Sequence, residues 1–238
     1  MGSVLFVSAL GSRYRLSGCG LRLGLWALLC LGLLSAANAL PARTPLMAPG
    51  LLAQMNARFG PEASGRLLGW QQFVEAQGGV GEGLRLWRVN LFLNRVPFVE
   101  DAAHWGLEDY WATPAEFVAS RGGDCEDFAI AKLFTLQALE LPTARLRLMY
   151  VNALTLNQAH MVLLYTPYPG AMPLVLDNLT NTVVPATQRK DLEPVYSFNS
   201  SGLWLEPDSA TPRQVRDHSG SLLWEDLRRR LQAQGLDI

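Results

Sequence analysis

The chain has 238 residues, 49% of them hydrophobic and only 17% charged, which is enough apolar material for a substantial core in one or at most two domains and excludes a disordered chain. Lys and Arg number 20 against 21 Asp and Glu, for a net charge of −1, and no run of like charge occurs. A basic stripe of the kind that phosphate backbones require is absent, so nucleic acid is excluded as an expected partner.

The first forty residues differ from the rest. Arg13, Arg15 and Arg22 precede the apolar run Leu23 to Leu34, which leads to the small residues Ser35-Ala36-Ala37-Asn38-Ala39. A basic region, a short apolar core and an A-x-A site ending at Ala39 read as a secretory signal peptide over residues 1–39. The competing reading is a retained membrane anchor, but the uninterrupted run is shorter than the roughly 20 residues a spanning helix needs. Cleavage removes three arginines and no acid, taking the net charge from −1 to −4. It also removes Cys19 and Cys30, leaving Cys125 alone and an internal disulfide impossible. An unpaired cysteine in an oxidising compartment is a liability unless it is buried or used.

Residues 40–238 are expected to form one domain. Residues 40–50, with Pro41, Pro45 and Pro49, read as an extended lead-in. Helical patterns follow over Leu51 to Phe59 and over Pro61 to Ala76, the latter carrying Leu67, Leu68, Trp70, Phe73 and Val74 and closing at Gly78-Gly79. The pattern of Leu84 to Val96 places Leu84, Trp87 and Leu91 on one face, and Pro97 ends it. After Arg121-Gly122-Gly123-Asp124 a helix is expected from Cys125 to about Leu139, half buried through Phe128, Ala129, Leu133 and Leu136. Beyond Pro142 the period drops to two. Leu146, Leu148 and Tyr150 alternate with Arg145, Arg147 and Met149, and apolar runs at Met161 to Tyr165 and Leu174 to Leu176 read as strands. A terminal helix is expected over Ser221 to Gln234, carrying Leu222, Leu223, Leu227 and Leu231. Helices before Cys125 and strands after it indicate an α+β fold rather than an alternating parallel sheet.

Cys125 stands at that junction. A helix N-terminus lowers a thiol pKa because its unsatisfied N–H groups carry partial positive charge, and Gly122, Gly123 and Asp124 suit a tight approach and an N-cap. The alternative is a buried, inert thiol. Its neighbours Asp124, Glu126 and Asp127 fit a core position poorly, since buried carboxylates must be solvated, paired or metal-bound. They also oppose thiol ionisation. A hard cation such as Ca²⁺ on Asp124 and Glu126 would offset them, and simple capping of the helix is the equal alternative.

Of the three histidines, His160 opens the run Met161-Val162-Leu163-Leu164-Tyr165 and is placed to serve as base at a sheet end. A core histidine satisfied by a carbonyl is the competing role. Asp177 follows Leu174-Val175-Leu176 and could orient His160 if the two strands pair antiparallel, where ordinary turn chemistry is the alternative. Trp105, Trp111 and Trp204 could line a substrate groove, although core packing is the commoner role of a tryptophan.

The blocks Arg121-Gly122-Gly123-Asp124-Cys125-Glu126-Asp127-Phe128-Ala129-Ile130-Ala131-Lys132, Ala159-His160-Met161-Val162-Leu163 and Leu174-Val175-Leu176-Asp177-Asn178-Leu179, with Val89-Asn90 and Asp109 to Pro114 upstream, resemble the bacterial transglutaminase-like cysteine proteinases. The resemblance covers roughly residues 84–180. It implies a papain/transglutaminase-like core, with the nucleophile at a helix N-terminus packed on an antiparallel sheet. It further implies a Cys-His-Asp triad of Cys125, His160 and Asp177, and calcium held by Asp124 and Glu126. Members of that family act in the periplasm. They cut large RTX-type surface adhesins near their N-termini, which disperses biofilm, and an inner-membrane receptor of cyclic di-GMP sequesters them. A transglutaminase or amidase would use the same triad with another acceptor, and a non-catalytic calcium-binding adaptor would use the fold alone.

Overall fold

In a computed structural model, residues 47, 49–205, 213–216 and 221–236 are described. The expected signal segment, its cleavage site and His218 lie outside the described residues. Among the described residues three helices come first: α1 (Pro49–Phe59), α2 (Ala63–Glu75) and α3 (Glu82–Leu93). The first begins two residues before its expected start, because Pro49 supplies a preset φ without needing a donor. Pro61 does not open α2; it occupies a turn, and the helix starts two residues later.

In α3 the buried face is Leu86, Val89, Asn90 and Leu93, whereas the expected Leu84 and Trp87 are 46% and 42% exposed. Two apolar stripes run along that helix, and the one that meets the central helix is covered. Two short helices, α4 (Asp101–His104) and α5 (Pro114–Ser120), carry no long periodic pattern and were not anticipated. The second is set by a capping box: Thr113 Oγ1 accepts from Glu116 N, Glu116 Oε2 accepts from Thr113 N, and Pro114 takes the first helical position.

The central element is α6 (Cys125–Ala138). Every residue from Asp127 to Leu136 is buried, so the helix is enclosed all round rather than on one face. It is sandwiched between α3 and α5 on one side and the sheet on the other. Trp70 Nε1 donates to Thr135 Oγ1 at 3.0 Å, and Phe117 meets Phe128 edge-on with centroids 4.8 Å apart.

The sheet is antiparallel throughout, in the order β4-β3-β2-β1-β5-β6-β7. Its strands are β1 (Leu146–Ala153), β2 (Gln158–Tyr165), β3 (Leu174–Leu176), β4 (Val184–Pro185), β5 (Leu192–Asn199), β6 (Gly202–Leu205) and β7 (Arg213–Arg216). Helix α6 lies mainly on β2 and beside β1, the two strands whose hairpin carries the longest register. Leu148, Met161, Leu163 and Leu176 face the helical layer, while Met149, Val151, Val162, Leu164 and Val175 form a smaller cluster on the other face.

The chain closes with α7 (Leu222–Ala233), capped by Ser221 Oγ accepting from Trp224 N at 3.4 Å. Leu222 is 88% exposed, and Trp224, Leu227 and Leu231 take the buried stripe. Trp224 packs edge-on against Phe198, so the last helix docks on the sheet beside the start of α6. No helix among the described residues is long and apolar enough to cross a membrane.

Candidate active site

The site assembles where α6 begins and β2 and β3 meet. Cys125 is the first residue of α6 and is half-buried. The approach to it is tight. A Cβ on Gly122 would lie 2.7 Å from the His104 ring, and one on Gly123 would lie 2.8 Å from both the Asp127 Cβ and the Phe117 ring. Only glycine lets the strand-like lead-in, bridged from Gly123 to Phe98, pass this close to the helix.

The antiparallel pairing on which an encounter of His160 with Asp177 depends is present, with Leu163 opposite Leu176. Carried one residue further, that register sets Asp177 opposite Val162, with His160 its diagonal neighbour. The two buried side chains join, His160 Nε2 lying 2.8 Å from Asp177 Oδ1. An ionised carboxylate only accepts, so Nε2 carries the proton and Nδ1 is left able to take one.

Burial alone would raise the Asp177 pKa, but His160, the Leu179 N–H and Arg189 outweigh it and hold the group at about 2. The Leu179 N–H donates to Oδ1 at 3.0 Å, and Asn94 Nδ2 donates to the Asp177 carbonyl at 2.9 Å. Arg189 Nη1 forms an ion pair with Asp177 Oδ2 at 2.7 Å, outside ideal hydrogen-bond angles. Lys132, two turns along α6 from Cys125, is wholly buried and its Nζ has no hydrogen-bond partner among the described residues. Burial lowers its pKa to about 7, with the Asp177 charge acting the other way.

Cys125 Sγ donates to Glu126 Oε2 at 3.0 Å. Burial pushes the thiol pKa up; Glu126 and Asp124 push it further, while the Met161 N–H beside the sulfur acts in the opposite sense. The same N–H sets the sulfur against the His160–Met161 backbone. Cys125 and His160 share a cleft of about 1250 Å³ with Asp124, Glu126, Tyr150 and Tyr196, the two tyrosine rings stacked at 5.3 Å. Trp111 lines this cleft while being almost wholly buried; Trp105 packs on Tyr110, and Trp204 lies under Arg147. Of the other histidines, His104 bonds Ser120 Oγ at 2.9 Å, away from the thiol.

Asp124 occupies the N-cap position of α6, yet among the described residues its side chain makes no cap hydrogen bond and its Oδ1 is buried without a hydrogen-bond partner. That observation disfavours the purely capping role. Asp101, Asp109 and Asp127 join Asp124 and Glu126, their ligand oxygens falling in overlapping sets within 4.8 Å. Asp101 Oδ1 and Asp127 Oδ2 are likewise buried and unpartnered. Burial raises Asp101 to about 6; burial and the charges of Glu126, Asp127 and Asp101 raise Asp124 to about 10. Clustered carboxylate donors, three of them buried, with Glu126 half-buried and Asp109 exposed, fit a hard divalent cation of the calcium type.

Asp101, Asp109 and Asp127 were not singled out as ligands from sequence. Asp127 stood in view beside the cysteine, and Asp109 opens the upstream block that resembles the family; nothing marked Asp101. Lys132 stands as the lone charge in the apolar stretch Phe128 to Leu136, and Arg189 carries no spacing signal of its own.

Comparison with known proteins agrees with this architecture. A sequence model described as bacterial transglutaminase-like cysteine proteinase BTLCP matches residues 81–198. The structure of EGTA-treated Legionella pneumophila LapG is 38% identical, with a TM-score of 0.67, covering 79% of this chain and 100% of that one. Its calcium-bound form is also 38% identical, with a TM-score of 0.64 and coverage of 76% and 97%. A further LapG structure from that organism is 37% identical, with a TM-score of 0.66 and coverage of 79% and 99%. No match was found among curated protein sequences. The α+β fold is transglutaminase-like, and the chain belongs to the bacterial transglutaminase-like cysteine proteinase family.

Proposed function

We propose that the chain is a periplasmic, calcium-dependent cysteine endopeptidase with Cys125 as nucleophile, His160 as general acid and base, and Asp177 as the group that orients the imidazole. The observation that carries this reading is the buried His160–Asp177 pair opening on the same cleft as the only cysteine of the described residues. Family membership supports the peptidase activity, and the calcium-bound LapG structure supports the choice of cation.

In the reaction, His160 Nδ1 takes the Cys125 proton and the sulfur attacks the peptide carbonyl carbon. Asp177 stabilises the imidazolium that forms. His160 then returns the proton to the departing amine as the C–N bond breaks, leaving a thioester. Water, losing a proton to His160, cleaves the thioester and restores the thiol. Asp101, Asp109, Asp124, Glu126 and Asp127 would hold Ca²⁺, and the positive charge it supplies when bound offsets the carboxylates that keep the thiol protonated.

The substrate we propose is a large RTX-type surface adhesin, cut near its N-terminus so that it leaves the cell and the biofilm disperses. An inner-membrane cyclic di-GMP receptor would control access to the protease. Both are carried over from the family that the cysteine, histidine and aspartate blocks resemble. Export rests on the Arg-rich, apolar and A-x-A pattern of residues 1–39. Incubation with periplasmic and outer-membrane extracts of the source cells tests the whole. The wild type releases one large fragment from a surface protein and Cys125→Ala releases none. Amine incorporation into that protein without cleavage would instead establish a transglutaminase.

A further inference from the structure

We propose that Arg189 is a positioning residue for the reaction, locking Asp177 from the side opposite His160 and tying it to the hairpin that walls the cleft. This rests on the proposed triad. Arg189 is only 9% exposed and follows the short turn Ala186–Gln188. Its guanidinium spans two acids: Nη1 lies 2.7 Å from Asp177 Oδ2, while Nε and Nη2 donate to Asp191 Oδ1 and Oδ2 at 2.9 and 2.7 Å. With Oδ1 engaged by His160 and Leu179 N, and Oδ2 ion-paired to Arg189, a turn of the carboxylate would break contacts at both oxygens.

The second acid has an electrostatic consequence. Arg189 facing Asp177 alone would cancel the negative charge that must stabilise an imidazolium. Asp191 offsets Arg189, so the group of three keeps one net negative charge for His160. A planar fork is needed for this, because a lysine ammonium cannot serve two carboxylates with fixed geometry. The backbone extends the linkage. Asp191 O accepts from Leu154 N at 2.8 Å, and Leu154 begins the β1–β2 loop whose Leu156 lines the cleft. The segment holding the orienting acid therefore also holds the cleft wall.

The test uses the full chain with calcium. Alkylation of Cys125 by iodoacetamide at neutral pH is timed and located by peptide mapping, which requires no substrate, and thermal unfolding accompanies each variant. Arg189→Met should slow labelling about tenfold, the worth of one charge-assisted contact, and Arg189→Lys should recover part of that loss. Because Arg189 acts through Asp177, the double variant Asp177→Asn/Arg189→Met should label as slowly as Asp177→Asn alone. Multiplicative losses, or wild-type labelling by a folded Arg189→Met, overturn the proposal.

If Arg189→Met does not fold, Asp191→Asn frees only the far end of the guanidinium. It should slow labelling severalfold, and wild-type labelling there overturns the proposal. His160→Ala separates the two levels. Wild-type labelling in His160→Ala defeats the triad reading itself, whereas slow labelling in His160→Ala beside fast labelling in Arg189→Met defeats only the role of Arg189.

Discussion

Lys132 and Asp177 show how one buried pocket treats opposite charges. Asp177 has a histidine, an arginine and a backbone N–H; Lys132 has the Phe128 ring 5.7 Å from its nitrogen and no hydrogen-bond partner among the described residues. The folded Lys132 pKa, about 7, lies below its ordinary 10.5, so the folded state binds the proton more weakly than the unfolded state. The resulting destabilisation is complete below pH 7 and fades as pH rises toward 10.5. Lys132→Met should therefore stabilise the protein, most at pH 6 and little at pH 10, as read from urea midpoints across pH.

Asp177 carries the opposite sign, its folded pKa of about 2 lying below the ordinary 3.8. Its contribution is present above pH 4 and lost as pH falls toward 2. Asp177→Asn should lower kcat while retaining residual activity, because the base remains but its orientation is degraded; His160→Ala should be inactive. The positions brought together here were readable from sequence where each interrupts a pattern. Cys125 follows two glycines, His160 opens an apolar run, and Asp177 ends one. Lys132 also interrupts an apolar run, between Ala131 and Leu133, whereas Arg189 interrupts nothing, and what each does comes only from what folding places beside it.

At the scale of elements, the start of α6 is fixed by contacts that glycine alone permits. Gly123→Ala would drive a methyl group into Asp127 and the Phe117 ring, which are backed by the buried face of α5. The cost should be about 1–3 kcal/mol, as for other overpacked sites, with the carboxylate cluster displaced as well. A lowered melting temperature together with weaker calcium binding by Gly123→Ala is the expected result, measured by calorimetry.

The long helices and the strands β1, β2 and β3 were legible because each carries an apolar run or period of its own. The sided assignments were less so. Leu84, Trp87 and Leu222 are apolar on a helical period yet exposed, because α3 and α7 each offer two stripes and only the tertiary partner selects between them. The strands β5 to β7 escaped the period-two reading. The first half of β5 is exposed or half-buried on both faces, and β6 and β7 have four residues each.

Across the whole molecule, the cluster of carboxylates is built from three separate stretches of chain: Asp101, Asp109, and the start of α6. That dispersal is why sequence spacing did not bring Asp101 and Asp109 to the carboxylates beside Cys125. The same region is tied to the last helix. Arg230 of α7 reaches Glu116 at 2.7 Å, the Tyr110 hydroxyl at 3.0 Å and the Trp111 carbonyl, while Arg58 of α1 takes the other Glu116 oxygen. Arg230→Ala leaves buried Glu116 with one cation fewer and should cost about 3 kcal/mol, seen as a lowered denaturation midpoint.

Removing calcium should lower the melting temperature by several degrees, since a ligand that binds only the folded state stabilises it by mass action. Mg²⁺ should restore it poorly, because it demands a tighter octahedral shell. Asp124→Ala/Glu126→Ala should resemble the chelated protein and ignore further chelator.

The central claim is that Cys125 is a nucleophile made reactive by His160 and by a cation on the surrounding carboxylates. Its most direct test is the rate at which a thiol-reactive peptide probe labels Cys125 at neutral pH, in wild type with calcium, in wild type with chelator, and in His160→Ala. Fast labelling in the first case and slow labelling in the other two is the predicted result. Equal rates in all three would contradict the account.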